Sequence, residues 1–519
     1  MGYNHLKPIL LLLATVLWAN FVTAQATAPY LKELLILNGG QYGNPQEDIT
    51  LIGYNPFTGA TRISDTIRSQ SIQALLVEGN FAYIAAEDSL VKISLTDFTR
   101  VAQTRFPGAS TYSLALYNNQ LLVGNWYGQA DSNLYVFDKT DLTLDYVVPQ
   151  IEQGVKGIAI IGDTAYLAQN LNDANYSDSA GYLSLVYLPT GTFIKNVPGD
   201  GVSDIGKLQN YAGGFIGIGS ATDMACFYDP TDGGLEINPV GLDVTGGYGN
   251  LMQLVNDTLF GVFDDKIGSI NVTNGNIINP SLVDTLITSF VYDTLSQNFY
   301  VTQTDYFSYT RGIVFNKAGA AIDTFLTGYA PEAMGLVYDV NTAPVAVDDA
   351  IHNYNSHFLT YDVLSNDYDQ DGDSLVITII VQPTYGNAVI VNNIIEFTDT
   401  FSQDWIIFRD TITYQICDYS GASLCSVAKL SIYTEWEGVQ DLKNLNLAIY
   451  PNPVNDNLAI RNTGNEEQTL VLTDLAGRAL KTIIAQRNTT TTIDLSNLAR
   501  GLYLLLGADG RFAQKVVKQ

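Results

Sequence analysis

CFYDPTDG, residues 226–233, is a short apolar strand that runs into a polar turn ending on glycine. The same unit recurs as IGYNPFTG (52–59), VKISLTD (91–97), LYVFDKTD (134–141), LVYLPTG (185–191), INVTNG (270–275) and IVFNKAG (313–319). From Gly59 to Gly319 the step averages about 43 residues, the length of one four-stranded repeat. Asn and Asp bond to their own backbone in such turns, and glycine accepts the left-handed conformation that ends them.

A second unit precedes most of these turns: an apolar strand, a short polar turn and another strand. It reads SIQALLVEGNFAYIAA (71–86), YSLALYNNQLLVGN (112–125), VKGIAIIGDTAYLAQ (155–169), GNLMQLVNDTLFGVF (249–263) and SFVYDTLSQNFYVTQ (289–303), with a weaker copy at 203–218. The first copy of the whole repeat lacks its opening strand. EAMGLVYD, residues 332–339, is available to supply it by pairing with LLILNGG, residues 34–40. Seven copies and one displaced strand give an all-β chain whose residues 30–340 are expected to form a seven-bladed β-propeller. The pattern resembles YVTN-type and related propellers, although the YVTN words themselves are absent.

Composition agrees with an all-β chain. The 519 residues hold 46% hydrophobic and only 15% charged side chains, enough to bury several cores. The formal net charge is −28, and residues 441–519 carry nine Lys/Arg against seven Asp/Glu, so the acidity lies ahead of them. An acidic body repels phosphates and anionic lipid, which argues against nucleic-acid binding. At the N-terminus, Lys7, an apolar run from Ile9 to Trp18 and Val22-Thr23-Ala24 read as a signal peptide over residues 1–24. No other run is long enough to span a membrane.

Beyond the repeats come NTAPVAVDDA (341–350), YDVLSNDYDQDGDSLVI (361–377) and TITYQICDYSGASLCSVAKLSIY (411–433). Cys417 and Cys425 flank a Gly-containing turn between two strand-like runs, a spacing that places them face to face across a hairpin as a disulfide. Residues 341–434 resemble the cadherin-like or Ig-like modules of bacterial surface proteins, which implies a small β-sandwich. Asp367, Asp369, Asp371 and Asp373 alternate around Gly372, as carboxylates do when a loop wraps a hard cation. Thr378 stands where an EF-hand has its closing Glu, so a weaker structural calcium site is expected. The resemblance adds Asp349 as a ligand.

After a linker at 435–446, residues 447–519 open with LAIYPNPVNDNLAIRN (447–462) and continue with LVLTDLAGRALKT (470–482), TTTIDLSNLARGLYLLL (490–506) and FAQKVVKQ (512–519). This resembles the C-terminal sorting domain of type IX secretion cargo, through Tyr-Pro-Asn-Pro, the turn from Asp474 to Arg478, and Gly501-Leu-Tyr503. The resemblance implies a second small sandwich, read by an outer-membrane translocon and removed by a sortase-like peptidase. It places the mature protein outside a Gram-negative cell.

For function, the histidines His5, His352 and His357 all lie outside the repeats, which leaves the repeats no Ser-His-Asp triad and no His-ligated metal. Four loops between second and third strands are long: NGGQYGNPQED (38–48), GNWYGQADSN (124–133), QNLNDANYSDSAGY (169–182) and QTDYFSYTRG (303–312). They mix aromatic rings with amides and carboxylates, the composition that stacks on sugars or apolar side chains and bonds their polar rims. Trp126, Tyr127, Tyr176, Tyr306 and Tyr309 are therefore the expected recognition face for an extracellular glycan or protein ligand. The alternative is a lactonase-like or other hydrolase with carboxylate-bound calcium in the channel, for which Asp264, Asp265 and Asp305 are candidates.

Overall fold

The computed structural model describes residues 25–519 apart from 41–43, 45–47, 70–73, 106–110, 127–131, 173–177, 199–204, 220–222, 246–250, 355, 402–407, 420, 436–444 and 509–511. The expected signal peptide therefore lies outside the described residues. Apart from one 3-10 turn at Val363–Ser365, every described element is a strand. The chain divides into two compact units, one of them Ala28–Asn341 and the other containing Thr342–Gln519.

The recurring turns form for a local reason. Asp229 Oδ1 accepts from the Thr231 amide at 2.8 Å and its hydroxyl at 2.7 Å, and Gly233 closes the turn at φ 70°. Asn271 and Asn316 likewise accept from the amides of Thr273 and Ala318 ahead of Gly275 and Gly319. Where no glycine follows, Phe98 and Leu142 take the left-handed position, beside Asp97 and Asp141 that cap Thr99 and Thr143. A side chain in that conformation costs free energy, so the flanking aspartates do the shaping in these two turns.

Seven four-stranded sheets follow in chain order between Thr27 and Thr342. The first joins Pro331–Thr342, Thr27–Asn38, Thr50–Tyr54 and Thr61–Ile63 in that order, so its leading strand comes from the far end of the unit. The leading strands of the others are Ala74–Glu78, Thr111–Tyr117, Gly154–Ile161, Ile205–Tyr211, Met252–Val255 and Ser289–Asp293. Last strands such as Arg100–Arg105 and Ala321–Leu326 are mostly exposed, whereas second strands such as Phe81–Ala86 and Gly214–Gly219 are buried almost throughout.

No sheet of this unit has a core to itself. Leu35 and Leu51 of the first sheet pack with Ile84 and Val91 of the second, and Tyr83 and Leu90 of the second pack with Val123 and Phe137 of the third. Leu122 and Val136 meet Val155 and Leu167, Tyr166 and Leu185 meet Phe215 and Cys226, and Ile216 and Ile218 meet Leu259 and Ile270. Val262 and Ile267 then pack with Phe290 and Phe299 of the seventh sheet. Finally Val291, Tyr300 and Phe325 of the seventh sheet pack with Leu34, Ile36, Tyr54 and Met334 of the first.

Residues from Asp349 to Glu435 form two sheets. One is ordered Asp349–Tyr354, Cys425–Glu435, Phe408–Asp418, Leu375–Val381; the other Phe358–Tyr361, Ile394–Asp399, Gly386–Val391. A single core from Leu359 and Phe397 to Ile412, Tyr414 and Leu430 draws on both. Cys417 and Cys425 are register partners joined by a disulfide. Residues 447–518 form two further sheets, of three and four strands, around one core that includes Leu458, Ile460, Leu472, Leu505 and Val516.

Candidate functional site

Of the five expected recognition residues, Tyr127 and Tyr176 fall outside the described residues. Trp126 follows the strand Gln120–Asn125 and is half-buried. Its ring makes an edge contact with Tyr112 at 5.0 Å between centroids, and Lys156 Nζ lies 4.6 Å from its centroid. The Trp126 backbone is pressed onto Gly154, where a Cβ would fall 2.1 Å from the Trp126 carbonyl oxygen. Trp126 is thus a packed platform with one cation against it.

The loop 303–310 is built differently. Asp305 Oδ1 accepts from the amides of Phe307 and Ser308 at 2.9 and 2.8 Å, and its Oδ2 accepts from the Ser308 hydroxyl at 2.6 Å. These bonds hold the carboxyl well below the ordinary range, at about 2. The turn so fixed leaves Phe307 and Tyr309 62% and 65% exposed, with Tyr309 against Tyr329 at 4.0 Å between centroids. Beside it, burial pushes Glu332 up to about 7, and a hydrogen bond with Tyr306 opposes the shift. Lys156, Tyr112, Tyr329 and Glu332 escaped the sequence reading because their placement depends on strand register and on which sheets are neighbours.

The carboxylates singled out for catalysis serve turns. Asp264 and Asp265 have φ of 49° and 60° in a two-residue turn, where Asp265 exchanges hydrogen bonds with Thr245. The two histidines sit apart, His352 Nε2 being 3.1 Å from Glu435 and His357 Nδ1 2.8 Å from Asp399.

The five candidate calcium ligands divide into two sets. The Tyr414 hydroxyl lies 2.7 Å from Asp349 Oδ2 and 3.3 Å from Asp367 Oδ2, while Asp367 Oδ1 accepts from the Val347 amide at 2.7 Å. Desolvation, then the charge of Asp349, raises the Asp367 pKa against hydrogen bonds that lower it. Asp369 Oδ1 instead accepts from the amides of Asp371 and Asp373, and Asp371 Oδ2 from the Thr342 amide. Burial and then the charges of Asp369, Asp418 and Asp371 raise Asp373. Among the described residues, no group of three or more His, Cys, Asp or Glu side chains is placed to hold a metal ion. Asp369 Oδ2 is nevertheless buried without a hydrogen-bond partner.

In the C-terminal sandwich all three sequence landmarks are structural. Asn452 of Tyr-Pro-Asn-Pro donates to the Lys515 carbonyl at 2.6 Å and accepts from the Val517 amide at 2.8 Å, tying the opening turn to the last strand. Asp474 accepts from the Ala476 and Arg478 amides at 3.0 Å and from Arg478 Nε at 2.8 Å, with Gly477 at φ 76°. The Tyr503 hydroxyl donates to the Ala499 carbonyl at 2.8 Å.

Residues 448–519 match the family described as the secretion system C-terminal sorting domain. The tail is similar to that sorting domain. It marks the protein for type IX export, to the cell surface or the medium of a Gram-negative bacterium. Residues 341–432 match the bacterial Ig domain family. Among the described residues no helix is long and apolar enough to cross a membrane. No curated protein matches the chain in sequence.

Solved structures with some similarity include the extracellular domain of a protein described as a one-component system from B. thetaiotaomicron. It has 11% identity and TM-score 0.41 over 95% of this chain and 57% of its own. A protein described as a 6-phosphogluconolactonase from Bacteroides uniformis has 15% identity and TM-score 0.43 over 59% of this chain and 100% of its own. BamB from Moraxella catarrhalis has 18% identity and TM-score 0.35 over 53% of this chain and 78% of its own.

Proposed function

We propose that residues 28–342 form a seven-bladed β-propeller, and that the exported chain is a binding or adhesion protein whose propeller recognises an extracellular glycan or protein ligand. The succession of shared cores supports a closed ring, because a row of seven sheets would leave an uncovered apolar face at each end, and here the seventh sheet packs on the first. The burial gradient, from exposed last strands to buried second strands, fits blades whose outer edges face water.

The observation that carries the binding reading is the loop 303–310. A carboxylate fixes its backbone while three large aromatic side chains, Tyr306, Phe307 and Tyr309, stay exposed. A rigid loop with outward rings gives up little entropy on binding, the property of a recognition platform. The hydrolase alternative has less support, since the Asp265 carboxylate accepts from Thr245 and the Asp305 carboxylate is engaged in its own turn. The sorting domain belongs to handling by the secretion machinery, with removal by a sortase-like peptidase as part of the proposal.

A glycan and peptide array probed with the mature chain tests this reading. Specific, saturable binding without turnover, weakened by joint Phe307→Ala and Tyr309→Ala substitution at unchanged melting temperature, is the expected result. Turnover of a lactone or glycoside that a chelator abolishes would overturn it.

A further inference from the structure

Three contacts seat the loop 303–310 on the start of the strand Pro331–Thr342 and the residues just before it. Where the strand Asn298–Thr302 enters the loop, the Thr302 hydroxyl donates to the Pro331 carbonyl at 2.8 Å. Farther along, the Tyr309 ring meets Tyr329 at 4.0 Å between centroids, and Tyr306 hydrogen-bonds Glu332. Together the contacts on Tyr329, Pro331 and Glu332 hold this carboxyl against the base of the aromatic loop.

The loop is also closed on itself. The Tyr306 amide donates to Thr304 Oγ1 at 2.8 Å, with Tyr306 at φ 65°, and the Thr310 hydroxyl donates to the Gln303 carbonyl at 2.5 Å. Against this fixed base the side chains differ in depth. Tyr306, Phe307 and Tyr309 are 41%, 62% and 65% exposed, whereas Tyr329 and Glu332 are half-buried.

Charge then selects the kind of ligand. Among the described residues no Lys, Arg or His forms an ion pair with Glu332, and burial opposes its ionisation. A carboxylate so placed gains most from a cation supplied from outside. The rings favour the same charge, since the faces of Tyr and Phe attract an ammonium or guanidinium group. Asp305, held ionised by its own turn, adds a second negative charge, and the field of a chain of formal net charge −28 draws cations in. Depth selects among cations. A carboxyl set behind exposed rings suits a charge carried on a long apolar stem, which lies along the rings while its head reaches inward.

We infer that Tyr306, Phe307, Tyr309, Tyr329 and Glu332 form a subsite for a lysine or arginine side chain of a protein ligand, with the rings covering the stem and the Glu332 carboxylate meeting the cationic head. The inference rests on the binding reading above and adds the ligand class. An array of basic nonapeptides probed with the mature chain tests it, each peptide printed beside copies with glutamine in place of its lysines, of its arginines or of both, and beside a glucosamine oligosaccharide. Titration calorimetry of the peptides that bind should show an advantage of about tenfold or more over the fully replaced copy, and the single replacements assign the head group. Glu332→Gln, a neutral substitution of equal size, removes that advantage without lowering the melting temperature at pH 7. Equal affinity for basic and replaced peptides, a basic preference indifferent to Glu332→Gln, or tighter binding of the glucosamine oligosaccharide than of any basic peptide overturns the subsite and leaves the general reading standing. Failure of basic peptides, neutral peptides and sugars alike overturns both.

Discussion

In the sorting domain one cluster of buried side chains, from Leu447 and Leu458 to Leu505 and Val516, joins both of its sheets. Among the described residues of 28–341 the buried side chains fall into seven clusters, each divided between neighbouring sheets. The two regions use the same kind of strand to different ends. A domain that contains its whole core folds whatever precedes it, which suits a tail read by export machinery. Sheets that borrow their cores from one another form as a unit, which suits a rigid face carrying several loops. Charge separates the regions too, since residues 441–519 hold nine basic against seven acidic side chains in a chain of net −28.

The largest expected effect is all-or-none. Deleting residues 441–519 leaves the remaining chain folded and confines it to the periplasm, as read by cell fractionation and surface protease accessibility. A truncated chain that reached the surface as efficiently as the full one would remove the role assigned to the tail. Within the tail, Ile460 is fully buried, and Ile460→Ala should destabilise the sorting domain by about 2–5 kcal/mol. The melting of residues 28–342 should stay where it was; a shift there would mean the two cores are not separate.

A smaller effect follows from Glu332, whose burial pushes its carboxyl from the ordinary carboxylate range up to about 7. Between those values the unfolded chain releases a proton that the folded chain keeps, so stability falls as pH rises and then levels off above 7. Glu332→Gln should remove on the order of 1–3 kcal/mol of that dependence, measured as melting temperature against pH. A wild-type profile as flat as the variant's would contradict the assignment.

The smallest concerns calcium. The buried, unpartnered Asp369 Oδ2 and the burial, then neighbouring negative charge, that raise Asp373 motivate a weak site that closes only when the ion enters. Millimolar calcium should raise the melting temperature of the Ig-like module by a few degrees over chelator, and joint Asp369→Asn and Asp371→Asn should erase the difference. Identical curves for the unaltered chain would dispose of the site.

What could be read from sequence was whatever depends on neighbours along the chain. Asp229 and Gly233 announce their turn because the hydrogen bonds that make it span two residues. The strand Pro331–Thr342 was visible as the piece missing from the first repeat. The bulges at Lys156 and at Gly206-Lys207 were not visible, because alternation along a strand does not forecast a register shift. The four alternating aspartates suggested one ligand set, and the Tyr414 hydroxyl that bonds both Asp349 and Asp367 was not visible because it is distant in sequence. The aromatic loops were legible as compositions, and their different builds were not: Trp126 is pressed onto Gly154 and Lys156, whereas Tyr309 stands on an Asp305 turn.

The shared cores are the central claim, and scanning calorimetry of the mature chain with and without Met334→Ala tests it most directly. Met334 is 1% exposed on the strand that completes the first sheet and packs against the seventh. The expected result is one cooperative transition for residues 28–342, with calorimetric and van't Hoff enthalpies equal, moved down as a whole by the substitution while the sorting domain melts unchanged. Separate transitions for individual sheets, or a loss confined to the first sheet while the other six melt as before, would contradict it.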